Sequence, residues 1–184
     1  MTLPLLTMLV ILITQFPWSI IGAISEFLLM SLMSVSVFIA NLLTILGLLI
    51  ALYSLIYFQR HKKDGLVTTG LYRYIRHPQY AGFLLMTLGF TAYCYWWLSN
   101  TFGMGWLSKE ATVALWFVQF AIYVILALIE ESYLTKEFGD QYIAYKKQAS
   151  FLVPLGRFNR LDIPLSIVIF CLGMFFVILF QLVG

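Results

Sequence analysis

The chain is 184 residues long, 62% hydrophobic and only 10% charged, with a formal net charge of +3 and a mean hydropathy of +0.94. This composition lies far outside the soluble globular range and defines an integral membrane protein. The length admits about five spans of roughly 20 residues with short connections but no separate soluble catalytic domain, so any chemistry must be built from helix ends and loops.

Residues 3–58 are nearly continuous hydrocarbon, long enough for two spans, 3–23 and 35–58. Pro17 and Glu26 interrupt them, and Glu26, Ser31, Ser34 and Ser36 fall near the turn; three shorter segments are the alternative. Met1-Thr2-Leu3-Pro4 has no basic n-region and no small-residue cleavage site follows, so the first span is expected in the mature protein. After a polar stretch, 59–77, comes a span at 80–98 with Tyr93, Tyr95, Trp96 and Trp97 as an interfacial belt. A turn at 100–105 leads to a return span, 111–129, that delivers Glu130-Glu131 to the side where the polar stretch lies.

Residues 131–147 set Tyr133, Leu134, Phe138, Tyr142 and Tyr145 against Lys136, Glu137, Asp140, Lys146 and Lys147. This predicts one or two short interfacial helices broken near Gly139, with the two later tyrosines as membrane anchors. Pro154 and Gly156 close a loop, and a last span, 163–182, starts beside Asp162 and Pro164. The predicted fold is an all-α polytopic membrane bundle of about five transmembrane helices plus short interfacial cytosolic helices. It forms a single membrane domain over 1–184: an N-terminal hairpin (1–59), a core (60–154) and a C-terminal transmembrane helix (155–184).

The cations cluster as Arg60, Lys62, Lys63, Arg73 and Arg76, and as Lys136, Lys146, Lys147, Arg157 and Arg160, with Lys109 alone elsewhere. The positive-inside rule places both clusters in the cytoplasm, with a cytosolic N-terminus and the C-terminus opposite. A membrane flank accounts for these cations, so no nucleic-acid partner is expected. Cys94 and Cys171 match no metal or redox spacing, and no metal site is expected.

Two polar islands carry the chemistry: Arg76-His77-Pro78-Gln79-Tyr80-Ala81-Gly82 and Glu130-Glu131. Ionisable groups at the ends of membrane helices are costly to place near hydrocarbon and so point to function. Pro78 holds His77 extended and suits a first helical turn, so Arg76-His77 is a loop-to-helix junction where free amides gather. Adjacent helical residues diverge by about 100°, so one of Glu130 and Glu131 faces a ligand and the other a cation such as Arg76, or water.

Leu66-Val67-Thr68-Thr69-Gly70-Leu71-Tyr72, the Arg76 to Gly82 segment, Glu130-Glu131, Phe138-Gly139-Asp140-Gln141-Tyr142-Ile143-Ala144-Tyr145 and the closing residues 151–154 resemble, in order and spacing, the isoprenylcysteine carboxyl methyltransferase family and its phospholipid N-methyltransferase relatives. The resemblance covers about residues 64–154. It implies methyl transfer from S-adenosylmethionine to a lipid-like or small hydrophobic acceptor in a helical membrane bundle, with a cofactor pocket facing the cytosol. It carries cofactor contacts onto Asp64, Gly65, Leu66, Val67, Tyr72, His77, Pro78, Gln79, Tyr80, Glu130 and Glu131, and makes His77, Glu130 and Arg76 the candidate catalytic side chains. The family's arginine before the glutamate pair is absent from 111–129. An uncharged helix there favours a neutral or cationic headgroup, a hydrophobic thiol or a lipid amine over a prenylcysteine carboxylate. The alternatives are an NADPH-dependent reductase of sterol-reductase type and a non-catalytic lipid-binding scaffold.

Overall fold

The computed structural model of the chain describes residues 22, 25, 34–100, 108–154 and 161–183. All but residue 22 of the expected first span, with Pro17, Glu26 and Ser31, lie outside the described residues, as do Gly156, Arg157 and Arg160. The described elements are α1 (Val35–His61), two 3₁₀ turns (Lys62–Asp64 and Gly70–Arg73), α2 (Pro78–Asn100), α3 (Lys109–Phe138), α4 (Asp140–Lys146) and α5 (Asp162–Val183). Four of them, α1, α2, α3 and α5, are long and apolar enough to cross a membrane, and the expected all-helical membrane bundle is present.

Small and polar side chains point inward on α1, where Ser36, Val37, Ala40, Asn41, Gly47 and Ser54 are buried, while Leu42, Ile45, Leu49, Leu52 and Ile56 face outward. Lipid is as apolar as leucine, so association rests on close backbone approach rather than on hiding large side chains. The α1/α2 seam shows this. A Cβ on Gly82 would lie 2.5 Å from the Ala51 nitrogen, one on Gly89 2.5 Å from the Ala40 carbonyl, and one on Gly47 would collide with the Met86 backbone. Behind the seam, Leu84, Leu88, Trp116, Phe120, Phe170 and Met174 join α2, α3 and α5 in one core. There Trp116 stacks on Phe120, and Phe120 meets Phe170 at a tilt, each pair 5.5 Å apart.

Two expectations change. The return helix does not stop at residue 129: α3 runs 30 residues to Phe138, because nothing between Glu130 and Phe138 breaks a helix. At 1.5 Å per residue it is about 45 Å long, roughly 15 Å more than the hydrocarbon core, so its last turns stand at the membrane boundary. The break comes at Gly139, whose φ of +53° favours glycine, leaving α4 as the single separate short helix here. Tyr95, expected in the aromatic belt, is instead buried, with the Lys109 ammonium 5.4 Å above its ring.

The loop entering α2 is tied to the loop leaving α4. Arg76 N–H donates to the Ser150 carbonyl at 2.8 Å, Ser150 N–H to the Tyr74 carbonyl at 3.0 Å, and His77 N–H to the Phe151 carbonyl at 3.3 Å, a short parallel bridge centred on Ile75 and Ser150. These bonds occupy amides that the sequence reading left free for a ligand. Pro78 opens α2 as expected, so only the Gln79 and Tyr80 amides remain to be presented at its first turn.

Candidate active site at the helix ends

Alternating helix directions bring the start of α2, the end of α3, α4 and the start of α5 to one side, and six ionisable side chains meet there. Arg76 Nε lies 3.0 Å from Glu131 Oε1, and Arg76 Nη2 lies 2.5 Å from Asp162 Oδ2. Lys146 Nζ lies 2.6 Å from Glu131 Oε2. His77 sits between the two glutamates, Nδ1 3.5 Å from Glu130 Oε2 and Nε2 3.5 Å from Glu131 Oε1. Glu131 is therefore the hub and Glu130 the edge: the Glu131 side chain is 4% exposed, that of Glu130 34%. The divergence expected of adjacent helical residues is realised, with Glu131 turned to Arg76.

With His77 protonated, three cations face three carboxylates, and a buried set this costly to desolvate holds only while every member has a partner. Burial alone would lower the His77 pKa, but the Glu130 and Glu131 carboxylates on either side of the ring outweigh it, and the imidazole is held above its ordinary value. Several atoms here face an opposite charge out of line for a hydrogen bond: Arg76 Nε, both His77 nitrogens, Glu130 Oε2 and Glu131 Oε1. The cluster keeps unspent hydrogen-bonding capacity.

Next to it opens a cleft of about 700 Å³, counted out to and including its open mouth. Of the residues singled out from sequence, Gly65, Leu66, Val67, Tyr72, Arg76, Gln79 and Glu130 line it. Asp64 ends the 3₁₀ turn just before Gly65. His77, Pro78 and Glu131 are not on the wall; they are buried behind it. Tyr80 stacks on His77 at 5.6 Å and meets Tyr123 edge-on at 5.4 Å, with Phe83 5.0 Å beyond. This makes an aromatic row along the α2/α3 face.

Sequence reasoning missed Phe58, Lys62, Leu134, Glu137, Phe138, Tyr142 and Tyr145, all on the wall. Tyr142 and Tyr145 are buried cleft residues, not membrane anchors, because α4 folds its tyrosine face back over the site. Their spacing of three on one helix was the available signal. The Tyr145 hydroxyl donates to the Tyr72 carbonyl at 2.6 Å, and the Tyr72 hydroxyl to Gln79 Oε1 at 2.8 Å. The Tyr142 hydroxyl is buried without a hydrogen-bond partner among the described residues. Burial pushes all three phenols upward, so they stay neutral donors. Asp162 and Lys146, read from sequence as a span marker and a solvated cation, belong to the ion cluster. Across the 75–82 segment lies a second, apolar crevice of about 870 Å³ between α1, α2 and α5, lined among others by Leu43, Ile50, Leu85, Phe170 and Val177.

The four described apolar spans, carrying a buried ion cluster and a polar cleft at their shared end, define an integral membrane protein. The phospholipid methyltransferase family matches residues 18–141, and the chain belongs to it. That match reaches into the N-terminal spans, where the motifs themselves begin only near residue 64. The chain is 33% identical over 97 residues to a protein-S-isoprenylcysteine O-methyltransferase of Schizosaccharomyces pombe, covering 53% of this chain and 36% of that one. It is 31% identical over 100 residues to protein-S-isoprenylcysteine O-methyltransferase B of Arabidopsis thaliana, covering 54% and 45%. It is 33% identical over 87 residues to methanethiol S-methyltransferase 1 of Bradyrhizobium diazoefficiens, covering 47% and 25%. The chain thus spans less than half the length of these curated relatives. No solved structure matches it significantly. The reductase and scaffold alternatives find no support in these relatives.

Proposed function

We propose that this chain is a single-domain membrane methyltransferase that takes its methyl group from S-adenosylmethionine and passes it to a lipid-like or small hydrophobic acceptor at the cytoplasmic face. The observation that carries this reading is the Glu130 carboxylate on the wall of a cleft whose deeper side is closed by charges that neutralise one another. A cationic ligand finds the Glu130 carboxylate there, with the exposed Glu137 carboxylate also on the wall, and the Glu130 oxygen and Tyr142 hydroxyl that lack hydrogen-bond partners match its polar groups. Two basic segments flanking the site support the cytoplasmic orientation.

S-Adenosylmethionine supplies, when bound, a methyl group activated on a sulfonium sulfur. Glu130 would face the cationic part, Lys62 a carboxylate, and Phe58, Leu66, Val67, Leu134 and Phe138 an apolar ring, with Tyr72, Gln79 and Tyr142 offering hydrogen bonds. Gly65 lines the cleft, and Asp64 precedes it in the chain. Transfer by in-line displacement asks the protein to align and desolvate the partners. His77, flanked by two carboxylates and favoured as imidazolium, holds Glu130 in place and is a poor base. Glu130 is the carboxylate placed to accept a proton from an amine or thiol.

Arg76 is committed to Glu131 and Asp162, so its guanidinium is not free for an acceptor carboxylate. This favours a neutral or cationic acceptor, as does the α3 stretch 111–129 without arginine or lysine. The aromatic row Tyr80, Tyr123 and Phe83 supplies an apolar approach from the bilayer, and membrane lipid occupies the crevice between α1, α2 and α5. Calorimetry of detergent-purified protein with S-adenosylmethionine is the test. Binding in the micromolar range, weakened at least about tenfold in Glu130→Gln, is expected from loss of one charge-assisted contact. Absence of binding by folded wild-type protein refutes the proposal.

A further inference from the structure

The last membrane span reaches the ion cluster through one side chain. Asp162, in the first turn of α5 and 6% exposed, places Oδ2 against Arg76 Nη2, while its Oδ1 accepts from the Ile163 amide at 2.9 Å and is fixed by it. One turn on, fully buried Ser166 accepts from the Leu152 amide at 3.4 Å, next to the Phe151 carbonyl that takes the His77 amide. Arg76 and His77 both pair by charge with one carboxylate oxygen, Glu131 Oε1, at 3.0 and 3.5 Å. How strongly Arg76 draws on that oxygen therefore sets what is left for the imidazole, and Asp162 is the competing anion on the other end of the guanidinium.

We infer that Asp162 is a positioning residue for methyl transfer: by holding Arg76 from the α5 side it keeps Glu131 shared with His77, and His77 in turn keeps Glu130 aimed at the cleft. The inference rests on the function proposed above for the site, but its structural half does not. Among the described residues, the charged and titratable groups around Arg76 are Glu131 and Glu130 on α3, Lys146, Tyr142 and Tyr145 on α4, His77 in the loop and Asp162 itself. Removing the Asp162 charge leaves Arg76 compensated by Glu131 alone. Arg76 then claims the shared oxygen and its uncancelled charge disfavours the imidazolium.

The chain has only two histidines, His61 and His77, so isotope-labelled histidine gives two resolvable NMR titrations, assigned with His61→Gln. In Asp162→Asn the His77 midpoint is expected to fall by about half a unit or more while that of His61 stays in place. In turnover assays kcat should fall roughly 10- to 100-fold, with the dissociation constant for S-adenosylmethionine moved less than about threefold, as for lost alignment rather than lost binding. Asp162→Glu, which keeps the charge, should restore the midpoint and part of kcat. An unmoved His77 midpoint together with wild-type kcat overturns the inference. If wild-type protein neither binds the donor nor turns over, the proposed function fails, and the NMR titration still decides the coupling. Should Asp162→Asn not fold, Asp162→Glu is compared with wild type directly; an identical midpoint and kcat there overturn the inference too.

Discussion

Replacing Gly82 by alanine tests whether the α1/α2 seam positions the site. The added Cβ would lie 2.5 Å from the Ala51 nitrogen, 2.9 Å from the Gly47 carbonyl and 2.9 Å from Ile50 Cγ2. Ordinary contact begins at about 3.4 Å, so α2 has to retreat by roughly 0.9 Å, and backbone atoms offer no rotamer escape. Overpacking of this kind costs about 1 to 3 kcal/mol, against a gain in helix propensity of at most about 1 kcal/mol. The net loss falls on the helix that begins at Pro78, one residue after His77. A displacement near 1 Å at the reacting groups is worth roughly 100-fold in rate. Gly173→Ala in α5 is the control, since nothing lies within 4 Å of its Cβ position; it should be neutral or stabilising by up to about 1 kcal/mol. Thermal unfolding in detergent, with donor binding and turnover on the same samples, reads both. Equal melting temperature and turnover for Gly82→Ala and wild type would refute the reasoning.

Glu131→Gln should destabilise far more than Glu130→Gln, by about 3 to 5 kcal/mol, because it leaves buried Arg76 with Asp162 alone and takes from Lys146 its carboxylate partner; comparative melting and expression yield check it, and equal losses would contradict the hub assignment. Tyr142→Phe removes a buried hydroxyl that has no hydrogen-bond partner among the described residues. It should leave stability unchanged or slightly raised while weakening donor binding by about tenfold or less, on the scale of one hydrogen bond, by calorimetry. His77 has a folded pKa above its unfolded value of about 6.5. Its contribution to stability is therefore complete below that unfolded value and is lost as pH rises through the folded one. Melting temperature scanned upward from pH 6 should fall more steeply for wild type than for His77→Gln, and parallel curves would exclude the linkage.

Sequence alone determined the membrane class, the boundaries of three of the four described spans to within a few residues, and both polar islands. Lipid imposes long apolar runs, and prolines or charges at their ends are local signals that survive without a structure. It also foretold that the glutamates would divide their roles, because helical geometry is fixed by covalent chemistry. The length of α3 was misjudged because a charged amphipathic run is as helical as an apolar one, and only Gly139 ends it. Tertiary structure decided which glutamate is the hub, that Tyr142 and Tyr145 turn inward, and that Asp162, 86 residues from Arg76 in sequence, completes the ion cluster. A buried charge takes as its partner whatever opposite charge the packing of helices brings within about 4 Å, and that proximity leaves no mark on the residues nearby in the chain.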